Sequence, residues 1–144
     1  MNILIVNGPN LNLLGEREPE IYGSDTLQDI NDWLLVEAEK HKVELQFFQS
    51  NHEGRIIDFL QEQRHWADGM VINPAALTHY SISLRDAIAG CELKAIEVHL
   101  SDIHARETFR QHSVVKDVCI EQISGLGKQG YLQGIERLVD FLKN

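Results

Sequence analysis

The sequence predicts a three-layer α/β fold, in which helices cover both faces of a five-stranded parallel sheet. Two observations predict it. Short continuous apolar runs, typical of strands buried on both faces, recur five times along the chain. Stretches with the apolar spacing of a helix separate these runs, and this alternation favours a parallel sheet with right-handed crossovers. The 144 residues are 43% hydrophobic, which matches one domain over residues 1–144.

The five predicted strands are short and rich in valine, isoleucine and leucine. They cover residues 2–7, 43–49, 69–73, 94–99 and 118–123. Five such strands suit the flavodoxin-like strand order 2-1-3-4-5. In open sheets of this kind a ligand binds beyond the carboxyl ends of the strands, in the crevice where the strand order reverses.

Five helices are predicted between and after the strands. They cover residues 27–38, 53–64, 82–89, 102–110 and 131–143. Asp25 with Gln28 resembles a capping box before the first helix, and Gly90 is expected as the residue that ends the third. Asp102 is expected to cap the short fourth helix.

Composition limits the classes of partner. A formal charge of −9 argues against nucleic acid and anionic membrane surfaces, because binding to phosphates depends on accumulated lysine and arginine. No apolar stretch approaches the ~20 residues of a membrane span, and the N-terminal residues lack the pattern of a signal peptide. Cys91 and Cys119 stand outside any metal-type spacing and are expected to be free thiols in a reducing compartment. A cytoplasmic protein is therefore expected.

Polar and basic residues crowd one end of the predicted sheet. The loops after the strands contain GPN, SNH, NPAALTHYS, HLS and SGLGKQG, whereas the opposite end has the shorter HKV, WADG and GCELK. The basic residues in or near loops are Arg17, His79, His99, His104, Arg106, Arg110 and His112. A basic pocket within an acidic chain would suit a small anion, so a site is expected at this edge.

The first loop, GPNLNLLGEREPEIYGS at residues 8–24, is far longer than the ~2–6 residues usual between a strand and a helix. We interpret it as a lid with Gly8, Gly15 and Gly23 as candidate hinges. A guanidinium close to a phenol stabilises the phenolate, so Arg17, helped by Arg106, would make Tyr22 available as a base. The alternative is a tyrosine that packs by its ring beside a solvated arginine.

The triplet EVH places Glu97 and His99 on the same face of the fourth strand, because residues i and i+2 of a strand share a face. Glu97 could hold one ring nitrogen of His99 while the other nitrogen faces the crevice, as in a general acid. The alternative is a pair at the rim of the sheet without a catalytic task.

Several other site classes lack their motifs. The sequence contains no GxGxxG or GxxxxGK[ST] for a nucleotide, no HExxH for zinc and no GxSxG nucleophile elbow. Chemistry without a metal or cofactor is therefore the expectation.

Six motifs in order give the chain its family resemblance: NGPNLNLLGEREPEIYG, FFQSNHEG, INPAALTHYSISLRDA, EVHLS, IHARE with FRQHS, and GLGKQGY. Together they resemble the type II 3-dehydroquinate dehydratase family, from Ile3 to about Gly134. The resemblance implies a flavodoxin-like fold and the reversible dehydration of 3-dehydroquinate to 3-dehydroshikimate through an enolate. It implies a step of the shikimate or quinate pathway, without metal, imine or other cofactor.

The resemblance also implies roles for individual residues. Tyr22 would be the base, Arg17 and Arg106 would stabilise the negative charge, and Asn10 would hold a water on the enolate oxygen. His99, positioned by Glu97, would protonate the departing hydroxyl. The substrate-binding positions would be Asn73, His79, Asp86, Leu100, Ser101 and Arg110. Asp86 would reach the site of a neighbouring subunit, in trimers stacked into a dodecamer.

Two other functions remain open from the sequence. A non-catalytic receiver or flavin-binding module could have the same fold, although the first strands end in NGPN and QSNH and not in the acidic residues that a receiver needs. A dehydratase acting on another hydroxy-keto acid is the second. Asp102 stands where many relatives have asparagine, next to the amides expected to receive the substrate carboxylate.

Overall fold

The computed structural model describes residues 1–144. Five strands form a parallel sheet in the order β2-β1-β3-β4-β5. The strands are β1 (Asn2–Asn7), β2 (Glu44–Gln49), β3 (Gly69–Asn73), β4 (Ala95–His99) and β5 (Glu121–Ser124). The strand order reverses between β1 and β3. The predicted α/β class and strand order are confirmed.

Helices cover both faces of this sheet. They are α1 (Pro19–Tyr22), α2 (Leu27–Lys40), α3 (Glu53–Gln63), α4 (Ile82–Gly90) and α5 (Gln129–Lys143). The buried residues of α2 and α5 share one apolar cluster with the sheet, and those of α3 and α4 share the other. None of the helices combines the length and the apolar character needed to cross a membrane.

The first strand shows why its sequence is apolar without alternation. Ile3 and Ile5 belong to the cluster of α2 and α5, whereas Leu4 and Val6 belong to the cluster of α3 and α4. Side chains alternate across a strand, so a sheet covered on both faces needs an apolar residue at every position. All four side chains are fully buried.

The capping box of α2 lies one residue later than predicted. The Thr26 hydroxyl accepts a hydrogen bond from the Asp29 backbone N–H, and the Asp29 carboxylate accepts one from the Thr26 N–H, both at 3.0 Å. The assignment to Asp25 and Gln28 is therefore wrong, because Thr26 and Asp29 satisfy the free amides of the first turn reciprocally.

The predicted end of α4 is also wrong. Gly90 is the last helical residue, and the Cys91 N–H still donates to the Ala87 carbonyl at 2.9 Å, so the helical pattern continues through it. The left-handed residue that turns the chain is Glu92, with φ 55°.

Residues 102–110 do not form the predicted helix. Two separate 3-10 turns occupy Ile103–Ala105 and Thr108–Arg110, because Arg106 between them is extended, with φ −100° and ψ −169°. Asp102 caps the first turn by accepting a hydrogen bond from the His104 N–H at 3.0 Å. A further turn at Lys116–Val118 delays the start of β5 to Glu121.

Candidate active site

A crevice lies at the carboxyl ends of β1, β3 and β4, where the strand order reverses. The strands end level with each other, since Asn7 pairs with Asn73 in the parallel register. Fifteen residues line the crevice, and none is acidic: Pro9, Asn10, Leu11, Arg17, Tyr22, Asn73, Ala75, Ala76, His79, His99, Leu100, Ser101, Ile103, Arg106 and Arg110.

The crevice collects positive charge in an acidic protein. Five of the seven predicted basic residues line it: Arg17, His79, His99, Arg106 and Arg110. The other two lie outside, where the His104 ring contacts Gln122 at 3.2 Å and His112 contributes only a backbone carbonyl. The chain as a whole has a formal charge of −9, yet guanidinium groups line the crevice, so the crevice is suited to a small anion.

The opening loop has a fixed root and an exposed outer segment. Leu11 and Leu14 are buried in the core, whereas α1 buries no residue. Gly8 belongs to the root, because a Cβ there would clash with the Pro74 carbonyl oxygen, and its role as a hinge stays a prediction. Gly15 and Gly23, with φ of 89° and 87°, flank the outer segment.

Tyr22 lies at the end of α1, between two guanidinium groups. Arg106 Nη1 donates a hydrogen bond to the Tyr22 hydroxyl at 2.8 Å. The guanidinium carbons of Arg17 and Arg106 lie 5.5 and 5.6 Å from the centroid of the Tyr22 ring. Arg106, whose extended backbone separates the two 3-10 turns, thus makes the direct hydrogen bond to the Tyr22 hydroxyl. The phenolic oxygen therefore faces positive charge.

Asn10 stands at the root of the loop in a left-handed conformation, with φ 71°. Its backbone N–H donates to the Asn51 side-chain oxygen at 2.9 Å, which fixes this turn. Its side-chain amide makes no hydrogen bond within the chain and lines the crevice, where it is free to bind a polar group.

Glu97 and His99 stand side by side on β4. His99 Nε2 lies 2.5 Å from Glu97 Oε2, and the other ring nitrogen, Nδ1, makes no hydrogen bond. Burial acts to raise the pKa of Glu97, but hydrogen bonds from His99, Thr78 and Gln122 and the charge of His99 outweigh it and leave the pKa below its usual value. Glu97 is therefore ionised at neutral pH behind a histidine that lines the crevice.

The peptide between Leu100 and Ser101 offers an amide to the crevice. Its carbonyl accepts a hydrogen bond from the Gly127 N–H at 3.0 Å. The C=O and N–H of a trans peptide point in opposite directions, so the Ser101 N–H points away from the glycine loop. It makes no hydrogen bond within the chain and can receive an anionic oxygen.

His79 has a defined tautomer. Its Nδ1 lies 2.7 Å from the His112 carbonyl, which only accepts, so Nδ1 carries the proton. Burial lowers the pKa of His79, against the raising effect of this hydrogen bond, and the charges of His99 and Arg110 lower it further. The ring is neutral at pH 7 and leaves Nε2 as an acceptor.

Asn73 belongs to a buried chain of hydrogen bonds in the floor of the crevice. Its Nδ2 donates to the Tyr131 hydroxyl at 3.1 Å, which in turn donates to Asn7 Oδ1 at 2.5 Å. Its Oδ1 accepts from the Ala75 N–H at 3.1 Å. One N–H of the Asn73 amide remains for a ligand.

The structure brings together eleven of the twelve predicted site residues, ten lining the crevice and Glu97 behind His99. Asp86 lies elsewhere, in a groove between α3 and α4 that Gln61, Arg64 and Ser83 also line. This position agrees with a role toward another subunit and leaves that role a prediction. No three His, Cys, Asp or Glu side chains lie together as metal ligands would.

Sequence reasoning missed the residues that surround Glu97. Thr78, Ser113 and Gln122 all donate to its carboxylate, and Tyr131 holds Asn73. Only the strand register could have indicated Gln122, which pairs with Glu97 across β4 and β5. Thr78 lies in a short 3-10 turn and Ser113 in an irregular connection, and neither segment has a sequence pattern that indicates a contact with Glu97.

The chain is similar to known proteins that are named for one enzyme activity. The sequence profile of the family described as dehydroquinase class II matches residues 1–139. A 3-dehydroquinate dehydratase of Halothermothrix orenii is 50% identical over 98% of this chain and 95% of its own length. One of Bacillus pumilus is 54% identical over 96% of this chain and 94% of its own length. The crystal structure of type II dehydroquinase from Butyrivibrio crossotus matches with a TM-score of 0.94 and 46% identity, over 96% of this chain and 97% of that chain.

Proposed function

Since the chain belongs to the dehydroquinase class II family, we propose that the crevice at its strand ends dehydrates 3-dehydroquinate to 3-dehydroshikimate. One observation carries the assignment of roles. A phenol that receives a hydrogen bond from a guanidinium and a histidine held by a buried carboxylate line the same crevice. This pairing supplies the base and the acid that an elimination next to a ketone needs.

Tyr22 is the base. The guanidinium of Arg106 donates to its oxygen at 2.8 Å, and a charge-assisted hydrogen bond of this kind stabilises the phenolate. The phenolate takes the proton from the carbon next to the substrate ketone, and the electron pair moves onto the ketone oxygen as an enolate. Arg17 and a water held by the free Asn10 amide stabilise this oxygen.

His99 completes the elimination. As the enolate collapses back to the ketone, a carbon–carbon double bond forms and the C–O bond to the β-hydroxyl breaks. His99 donates a proton from Nδ1 to the departing oxygen, which leaves as water. Glu97, bound to Nε2, stabilises the protonated ring, and the proton on Tyr22 returns to His99 through solvent.

The remaining crevice residues bind the substrate. The Ser101 and Leu100 amides receive the carboxylate, and Asn73, His79 and Arg110 bind its other oxygens. The free Ser101 N–H and the absence of acidic lining residues support this assignment. The outer loop segment, which carries both Arg17 and Tyr22, closes over the bound substrate and keeps water away during the reaction.

The proposal includes an assembly. Asp86 reaches the crevice of a neighbouring copy, in trimers that stack into a dodecamer, and its position outside its own crevice supports this arrangement. We place the enzyme in the cytoplasm, which the free thiols of Cys91 and Cys119 favour.

The test is the appearance of enone absorbance when the protein is mixed with 3-dehydroquinate in the presence of a chelator. Tyr22→Phe removes only the hydroxyl that carries the base, so we expect turnover to be lost while isothermal titration still detects substrate binding. Tyr80→Phe is the control, because the Tyr80 side chain is 64% exposed and lies outside the crevice. Appreciable turnover by Tyr22→Phe would remove Tyr22 from the role of base.

A further inference from the structure

The Glu97 carboxylate is fully buried and accepts hydrogen bonds from four side chains. His99 Nε2 lies 2.5 Å and the Thr78 hydroxyl 2.6 Å from Oε2. The Ser113 hydroxyl lies 2.9 Å from Oε1, and Gln122 Nε2 lies 3.1 Å from Oε2. Buried carboxylates are costly unless paired, and this one has more donors than its histidine partner supplies.

The donors come from three segments that are separate in the chain. Thr78 belongs to the 3-10 turn after β3, Ser113 to the connection between β4 and β5, and Gln122 to β5, where it is the register partner of Glu97. The fold therefore assembles a cage of donors around one carboxylate. We call Thr78, Ser113 and Gln122 the Glu97 cage.

The direction of the Ser113 bond is fixed by its surroundings. The Ser113 oxygen accepts hydrogen bonds from the backbone N–H groups of Lys116 at 3.1 Å and Val115 at 3.3 Å. With its lone pairs occupied, the hydroxyl uses its single proton to donate to Glu97. Thr78 contacts both Glu97 and Ser113, at 2.6 and 3.0 Å, and its proton goes to the nearer, charged oxygen.

Every polar neighbour donates a hydrogen bond to the Glu97 carboxylate. A proton on this carboxylate would therefore point at another donor and find no acceptor. If Glu97 took the proton from His99 Nε2, the ring would become a neutral imidazole, and a neutral imidazole is a very weak acid at Nδ1. An ionised Glu97 accepts the hydrogen bond from Nε2 and so stabilises a ring protonated at both nitrogens, which is the form that donates a proton from Nδ1.

We propose that Thr78 and Ser113 are positioning residues that hold Glu97 ionised and thereby keep His99 a proton donor. Neither residue lines the crevice, and Thr78 is fully buried, so they act through Glu97 and not on the substrate. This inference rests on the proposed function, in which His99 protonates the departing hydroxyl.

The test compares Thr78→Val with Thr78→Ser. Valine fills almost the same volume without the hydroxyl, whereas serine retains the hydroxyl. A hydrogen bond to a charged group is worth enough to change a rate about 10- to 100-fold, so we expect kcat of Thr78→Val to fall by that amount. We expect KM to stay within about twofold, and Thr78→Ser to recover most of kcat.

The pH profile separates this role from a merely structural one. The hydrogen bond from Thr78 is among the interactions that lower the pKa of Glu97, so its removal raises that pKa. The acidic limb of kcat against pH should therefore move to higher pH in Thr78→Val and, by a similar argument, in Ser113→Ala. Thr108→Val is the control, because Thr108 is exposed, makes no side-chain hydrogen bond and lies outside the crevice.

Two results would overturn the inference. One is a Thr78→Val protein that has the kcat of the wild type and the same acidic limb of kcat against pH. The other is a Thr78→Val protein whose KM is raised while this acidic limb does not move. Ser113→Ala decides the question in the same way if Thr78→Val does not fold. His99→Ala separates this inference from the proposed function, since normal elimination by His99→Ala would remove the acid assignment itself. If His99→Ala is inactive while Thr78→Val has the kcat and pH profile of the wild type, only the positioning role of Thr78 and Ser113 is removed.

Discussion

Among single residues, Glu97 links the active site to the stability of the fold. Glu97 lies on β4, between β3 and β5 in the sheet, and no solvent reaches its side chain. Burial alone would favour the protonated form, and the hydrogen bonds from its neighbours reverse that preference. The ionised state on which the proposed mechanism depends is therefore maintained by contacts that also join separate segments of the chain.

This arrangement predicts an acid-dependent contribution to stability. The pKa of Glu97 is below its usual value in the folded protein, so the unfolded chain binds a proton at this residue first as the pH falls. The contribution is complete above the unfolded pKa and is lost as the pH falls through the folded one. We expect Glu97→Gln to be less stable than the wild type at pH 7, and the difference to narrow below about pH 4.5.

Urea unfolding of both proteins between pH 7 and pH 3 measures this difference. Other carboxylates with lowered pKa values, such as Asp29 and Glu107, are common to the two proteins and cancel in the comparison. A difference in unfolding free energy that stays constant with pH would contradict the prediction.

Among the elements, the opening loop has a buried root and a more exposed outer segment. Its root is held by Leu11 and Leu14 in the core, and its outer segment, which contains α1, is held by the hydrogen bond from Arg106 to Tyr22 and by the packing of Tyr22 against that core. Gly23 ends this segment with φ 87° and ψ 174°, a conformation that is almost restricted to glycine. The position of Tyr22, the proposed base, therefore depends on a glycine next to it.

Replacing Gly23 by alanine should disturb the loop and spare the core. Alanine costs roughly 1–3 kcal/mol in this conformation, so we expect the loop to shift Tyr22 and kcat to fall at least about tenfold. The melting temperature should change little, because α1 buries no residue. Enone absorbance and calorimetry measure the two quantities.

The control is Gly54→Ala in α3, where a Cβ would meet nothing within 4 Å and the backbone is helical. Alanine is the better helix former, so this variant should keep its kcat and gain about 0.5–1 kcal/mol of stability. A Gly23→Ala enzyme with the kcat of the wild type would show that the loop tolerates another conformation there.

The elements also show where sequence reasoning succeeds. Apolar runs and helical spacing predict β1 to β4 within one residue of their observed ends, because buried faces impose these patterns. The segment 102–110 failed because hydrogen bonds of single side chains, such as Asp102 to the His104 N–H, stabilise short turns that have no period. For the same reason the sequence indicated Glu97 and His99 but not Thr78 or Ser113.

At the scale of the whole molecule, the crevice of one chain does not contain every predicted site residue, because Asp86 lies outside it. The strand order could be predicted because alternating strands and helices leave few parallel arrangements with right-handed crossovers. The position of Asp86 in a separate groove could not be predicted in this way, because nothing in one chain shows which surface faces a neighbouring copy. Tyr22 and Asp86 lie in different cavities of the same protomer.

This separation predicts complementation between two defective variants. Tyr22→Phe and Asp86→Ala should each have low activity, and mixed assemblies should recover part of it, because some crevices then combine an intact Tyr22 with an intact Asp86 from a neighbour. The variants are unfolded together, refolded and assayed against each variant refolded alone. Activity no greater than the mean of the two separate samples would contradict a site shared between subunits.

The hydrogen bonds of Tyr131 have a consequence for synthesis on the ribosome. Asn7 emerges from the ribosome long before Tyr131, its partner, which follows it by 124 residues. A nascent chain released before α5 would contain every crevice-lining residue and yet leave two buried asparagines without their shared hydroxyl. Translation must therefore reach α5 before the hydrogen bonds in the floor of the crevice can form.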